Sequence, residues 1–162
     1  MYEKITVNPP VIRHIFSRLE KSGIGAIIRN DKGEVMAGMS AIGPKVDTSE
    51  EAELLTCRRS IEFAVDAGFT RLMIEGDYTN VMQAISSDVA NYSFLGNVVD
   101  DICHLIPGLQ WATTSKIRRG GNKVAHVLAQ HARNLEYDLY WLEDSPTSFG
   151  SLVSRFVIIM IK

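Results

Sequence analysis

The stretch GIGAIIRNDKGEVMAGMSAIG, Gly23 to Gly43, constrains the fold more than any other part of the chain. Two apolar runs flank Asn30-Asp31-Lys32-Gly33, a cluster of turn-forming residues with a glycine available for positive φ. That pattern predicts a β-hairpin. Glycines at 23, 25 and 38 suit strands that another backbone approaches closely. A chain that opens its core with such a hairpin must then cover at least one face of it.

The following segment supplies the cover. In TSEEAELLTCRRSIEFAVDAGF, Thr48 followed by Glu51 fits a capping box. Leu54, Cys57, Ile61, Ala64 and Gly68 fall on one helical stripe, and Gly68 is a natural stop. RLMIEGD, Arg71 to Asp77, then reads as a strand with acids at its end. Thr79 can cap a short helix carrying Val81, Met82 and Ile85, and Asp88 to Ser93 reads as a loop. Phe94 to Ile106 repeats apolar residues at helical spacing and closes at Pro107-Gly108. Leu109 to Arg118 reads as a strand and Asn122 to Leu135 as a helix.

The N-terminal EKITVN reads as a short strand closed by Pro9-Pro10, and residues 11–22 fit either a short helix or a long loop. The expected order is one strand, a hairpin, a helix, a strand, two helices, a strand and a helix. It implies a mixed α/β sheet covered by helices, with a right-handed parallel crossover around the first helix.

At 162 residues the chain makes one domain, able to bury roughly 70% of its unfolded surface. A composition 46% hydrophobic and 22% charged is globular rather than disordered. The net charge of −2 means that any nucleic-acid contact must come from a local basic patch. Cys57 and Cys103 read as buried thiols of an intracellular, reducing compartment, nucleus or cytoplasm alike, and no Cys/His spacing resembles a zinc site. MYEKITVNPP lacks the apolar core of an export signal. FVIIMIK is far shorter than the roughly 20 residues a membrane span needs, so it is a docking strand or an exposed end.

Three groups of residues can carry chemistry. Glu53 stands in the first turns of its helix, where acids are favoured by the dipole even without a function. Asp77 leaves a strand and precedes a helix; by itself it could simply solvate the loop. Together they can meet, because in crossover units ligands bind outside the carboxyl ends of parallel strands, and Mg²⁺ takes oxygen ligands of this kind. Glu75 is explained by solvation alone. KIRRGGNK sets Lys116, Arg118, Arg119 and Lys123 around a Gly-Gly pair, and reads either as a solvated loop or as a phosphate-contacting one opening a helix. Asn122 and His126, four apart, share a helix face. His126 reads as a packed or solvent-facing histidine, or as a ligand; His14 and His131 take no role.

In their order, GIGAIIRNDKG, AELLTCRRSIEFAVDAG, RLMIEGD, IRRGGNKVAHVLA and YWLEDSP resemble the ribonuclease H type-1 family, in its divergent branch common in plant genomes. The resemblance implies a ribonuclease H-like mixed five-stranded sheet with helices on both faces, its first three strands antiparallel. It implies Mg²⁺-dependent endonucleolytic hydrolysis of RNA in RNA–DNA hybrids, with two ions held by four carboxylates. Glu53 and Asp77 match two of these as metal ligands. Lys116, Arg118, Arg119, Asn122 and Lys123 fall in the nucleic-acid-binding segment.

The sequence departs from the family at the other two carboxylates. KITVNP sets Asn8 where the first-strand aspartate belongs, so that strand is degenerate or missing, and Ala125-His126 replaces Ala-Asp, leaving His126 as the catalytic candidate there. The expectation is a nucleic-acid-binding domain with weakened catalysis. The alternatives are an inactive binding module and a truncated, degenerate copy. By this reading residues 1–22 are a degenerate N-terminal segment with its strand at 4–8, 23–149 the domain, and 150–162 an apolar tail.

Overall fold

A computed structural model of the chain describes residues 3–8, 21–76, 83, 95–116, 123–142 and 156–161, and of these 3–8, 76, 116, 123–124 and 156–161 by their backbone alone. Seven strands are described: β1 (Glu3–Asn8), β2 (Ser22–Arg29), β3 (Val35–Gly43), β4 (Arg71–Gly76), β5 (Trp111–Lys116), β6 (Leu139–Leu142) and β7 (Phe156–Ile161). The helices are α1 (Ser49–Asp66), α2 (Gly96–Leu105), which runs into a 3₁₀ turn at Ile106–Gly108, and α3 (Lys123–Ala132). The short helix expected at Thr79 lies outside the described residues apart from Gln83.

The hairpin forms as its sequence predicts. Gly33 takes a φ of +82°, and the Asn30 carboxamide oxygen accepts from the amides of Lys32 at 3.0 Å and Glu34 at 2.9 Å. β2 and β3 pair antiparallel from Ser22↔Gly43 to Ile28↔Ala37. α1 starts where Thr48 Oγ1 accepts from the Glu51 amide at 3.1 Å. Glu51 reaches back one residue further than a standard capping box, taking the Asp47 amide at 3.0 Å. α1 ends before Gly68, whose φ is +86°.

The sheet runs β6–β3–β2–β7–β4, and β1 pairs antiparallel with β2 and parallel with β4 and β7. β5 lies against the start of β4: the Gln110 and Trp111 amides donate to the Thr70 carbonyl at 2.8 and 3.3 Å. The sheet thus exceeds the expected five strands. The first strand is present, and both YWL and FVIIMI are strands.

Side-chain alternation along the strands separates two faces. Ile24, Ala26, Ile28, Ala37, Met39, Ala41, Leu72 and Ile74 join Leu54, Cys57, Ile61 and Ala64 of α1, and Val99 and Ile102 of α2, in one core. α3 covers the opposite face. Its carbonyls at Ala125 and Ala129 press on Gly25 and Gly23, as the glycine spacing predicts. At Gly38 the close neighbour is not backbone but the indole of Trp141, its partner across β3–β6.

β6 is fastened to the edge by Asp138. Its carboxylate accepts from the Ile42 amide at 2.7 Å, Tyr140 Oη at 2.9 Å and Arg59 at 3.3 Å, while Arg59 also donates to Tyr140 Oη at 2.5 Å. Burial, then the hydrogen bond to Asp138, raise the Tyr140 phenol above its ordinary value of 10.0. Above pH 10 the unfolded chain gives up this proton more readily than the folded one, so stability falls as pH rises there. Alkaline spectrophotometric titration is expected to show one late-ionising tyrosine, which disappears in Tyr140→Phe.

Candidate functional site

Strand directions determine which residues share a rim. β3 leaves the sheet at Gly43, beside the start of β2, and Asn8 at the end of β1 pairs with Gly25 near that same start. α1 begins at Ser49, soon after β3 ends, so Glu53 lies at this end of the sheet. β4 is parallel to β1 and ends here too, at Gly76. α3 reaches the rim from the other face: an ideal Cβ on Gly25, the partner of Asn8, would lie 2.4 Å from the Ala125 carbonyl oxygen. Four elements therefore converge on one edge: the ends of β1 and β4, the first turns of α1, and the first turn of α3.

Glu53 is 4% exposed, an acid taken out of water. Acids are seldom buried without partners, so burial marks this position in a way that its place in the first turns of a helix does not. One turn on, the thiol of Cys57 is pushed up by burial first, and then by the charge of Glu53 and the nearby Cys103. Both cysteines are free thiols; Cys57 is buried, whereas Cys103 is half-buried rather than buried as expected.

His126 stands next to Ala125 and is half-exposed. Its Nε2 accepts from the Gln130 amide nitrogen at 3.0 Å. His131 has a neighbour that sequence reasoning missed: its Nδ1 lies 3.4 Å from Oγ of Ser40, which donates to the Leu128 carbonyl at 2.8 Å. Ser40 is buried beneath α3, and a serine inside a strand of otherwise apolar residues was the available signal.

Glu75 corrects the sequence reading: it is 5% exposed, so solvation does not explain it. Leu72 and Ile74 point to the face of α1, so Glu75 points to the face of α3. The reading failed because a strand-terminal acid resembles a loop acid in sequence, and nothing local tells the two apart.

Asp77, Arg118, Arg119 and Asn122 lie outside the described residues. Lys116 ends β5 and Lys123 opens α3, with side chains likewise outside the description. Among the described residues no three or more His, Cys, Asp or Glu side chains gather as a metal-binding group. Nor is any described helix long and apolar enough to cross a membrane.

The model of the reverse transcriptase-like family matches residues 16–132. No curated protein matches the chain in sequence. Among solved structures, ribonuclease H1 of the halophilic archaeon Halobacterium salinarum is similar at a TM-score of 0.68 and 18% identity, covering 82% of this chain and 97% of the archaeal one. The N-terminal ribonuclease H domain of a Mycobacterium tuberculosis protein, solved as a fusion with maltose-binding protein, gives 0.62 at 19% identity, covering 81% and 94%. LC11 ribonuclease H1, isolated from compost by a metagenomic approach, was solved with an RNA/DNA hybrid; it gives 0.62 at 19%, covering 79% and 95%. These likenesses carry the fold.

Proposed function

Because the chain belongs to the reverse transcriptase-like family and has a ribonuclease H-like fold, we propose that it binds nucleic acid, an RNA–DNA hybrid or RNA, across this rim, with weakened hydrolytic activity toward hybrids. The observation that carries the reading is the buried acid Glu53 at the edge where β1, β4 and α3 meet. A structure of LC11 ribonuclease H1 holding an RNA/DNA hybrid supports the choice of ligand. The basic segment Lys116, Arg118, Arg119 and Lys123, with Asn122, supplies the phosphate contacts.

The donor chemistry fits one hard dication. Glu53 is a buried carboxylate at the rim, and Asp77 follows directly on the last residue of β4. Both are the oxygen anions that Mg²⁺ prefers. Bound there, the ion supplies a polarised water and stabilises the leaving oxygen. Two adjacent ions call for more negative charge than these two side chains bring. Asn8 contributes at most a neutral carbonyl, and His126 at most a proton relay through its imidazole. The inactive binding module is the second reading, and Asn8 is what favours it.

A labelled RNA–DNA hybrid tests the reading by fluorescence anisotropy in a salt series, with cleavage followed with and without Mg²⁺. Binding is expected to fall linearly with salt on logarithmic axes, and Arg119→Ala to reduce that slope by about 1. A folded protein that shows no affinity for the hybrid at low salt rules the proposal out. Cleavage in Mg²⁺ that is fast, and lost in Asp77→Asn, leaves binding in place and overturns the weakened site.

A further inference from the structure

We propose that β1 and β7 are alternative occupants of a single slot between β2 and β4, and that their exchange decides whether Asn8 stands at the rim. The inference rests on strand register alone and does not depend on the nucleic-acid reading.

The two strands make the same pairings, displaced by a constant step. Leu72 pairs with Glu3 and with Val157, Met73 with Lys4 and with Ile158, and Ile74 with Ile5 and with Ile159. Across the slot, Arg29 of β2 pairs with Lys4 and also with Ile158. Glu3 and Val157 pair with each other at the same offset. Both strands are antiparallel to β2 and parallel to β4.

One flank of a strand presents one row of N–H and C=O groups, and neighbouring strands stand about 4.8 Å apart. β4 cannot offer its flank along Leu72–Ile74 to two backbones at once. Its other flank is not spare, because β5 lies there, held at its start by the Thr70 carbonyl.

The two strands have opposite strengths. β1 has the longer ladder with β2, from Lys4↔Arg29 to Asn8↔Gly25, where β7 has Arg29↔Ile158. β7 has the longer ladder with β4, from Arg71↔Phe156 to Gly76↔Ile161, where β1 has Glu3↔Leu72 to Ile5↔Ile74. Their compositions differ in the same sense. FVIIMI is apolar throughout, which suits a central strand next to a parallel neighbour with helices on both faces; EKITVN carries Glu3, Lys4, Thr6 and Asn8. Burial therefore favours β7, whereas the antiparallel ladder and the completion of the rim favour β1. With β7 in the slot, the rim keeps Glu53 but loses Asn8.

Hydrogen exchange of the full chain, read by mass spectrometry on segments 3–8 and 156–161, tests this with one substitution in each strand. Thr6→Pro removes a ladder donor from β1, and Ile159→Asp puts a charge in β7. Thr6→Pro is expected to slow exchange in 156–161 at least tenfold, and Ile159→Asp to slow it in 3–8 by a similar factor, with 23–28 and 37–43 unchanged. Protection in one segment that does not respond to the substitution in the other overturns the proposal, since each strand then has its own place. Loss of protection in 23–28 and 37–43 in either variant overturns it too, because that strand is then indispensable rather than replaceable.

Discussion

Gly25→Ala is expected to destabilise the protein by about 3 kcal/mol, a fall in Tm of roughly 6–12 °C for a chain of this size. The new methyl would stand 2.4 Å from the Ala125 carbonyl oxygen, 2.6 Å from the Ala129 amide nitrogen and 2.9 Å from Leu128 Cβ. Two of these neighbours are backbone, so no rotamer change relieves the clash and α3 has to lift off β2. The helix was able to approach this closely because both surfaces are small: Gly23 and Gly25 below, Ala125, Ala129 and Ala132 above, all three alanines buried. Three other glycines calibrate the result in the same thermal melts. Gly33 and Gly68 have open space but φ of +82° and +86°, so alanine costs about 1 kcal/mol through backbone strain alone. A Cβ on Gly108 meets nothing within 4 Å, and alanine there should stay within about 0.5 kcal/mol. Equal effects at 25, 33 and 108 would refute close helix–sheet packing as the reason for Gly25. Because α3 carries His126 to the rim, the same substitution should also weaken hybrid binding.

What was legible in the sequence was what local chemistry decides. Asn30 to Gly33 announced the turn, Thr48 and Glu51 the start of α1, and the stripe Leu54, Cys57, Ile61, Ala64 the buried side of that helix; each depends on residues within a few positions of one another. The glycines at 23 and 25 announced a close backbone without saying which element it belonged to. What escaped depends on partners remote in the chain. Gly38 needed Trp141 from the far edge strand, Ser40 needed Leu128 and His131, and Glu75 is buried although it closes its strand. FVIIMI could be read as a docking strand or an exposed end, because an apolar run does not name the edge it joins; its partner β4 lies some eighty positions upstream in the sequence, a separation over which periodicity says nothing. At the candidate site, the buried Glu53 goes beyond what its place in a helix implied. Dipole preference alone would have left it in water beside Glu50.

Asn8→Asp is expected to raise Mg²⁺-dependent cleavage of an RNA–DNA hybrid at least tenfold. The pairing of β1 with β4 sets Glu3 beside Leu72 and Ile5 beside Ile74, so β1 runs toward the same rim at which β4 ends, and Asn8 closes β1 there. On the proposed reading, a carboxylate at residue 8 would add a third anion to Glu53 and Asp77. At 4 Å from a dication and an effective dielectric near 20, Coulomb's law gives about 8 kcal/mol for a carboxylate. If a quarter survives relaxation and replacement of water ligands, the remaining ~2 kcal/mol corresponds to about 30-fold in metal affinity. The sign of the stability change reports the same site without any turnover. In the absence of metal the added acid stands among like charges, so the variant should melt below the parent protein; in millimolar Mg²⁺ the order should narrow or reverse, because an ion bound only by the folded state stabilises it. Asn8→Ala, which adds no charge, should move neither the Mg²⁺ dependence of melting nor that of cleavage. If Asn8→Asp melts identically with and without Mg²⁺ and gains no activity, residue 8 does not face the cation site, and the degenerate first strand is not what weakens catalysis. If the loss in metal-free buffer appears without the rescue, the charges converge but do not hold the ion, and the inactive binding module becomes the better reading.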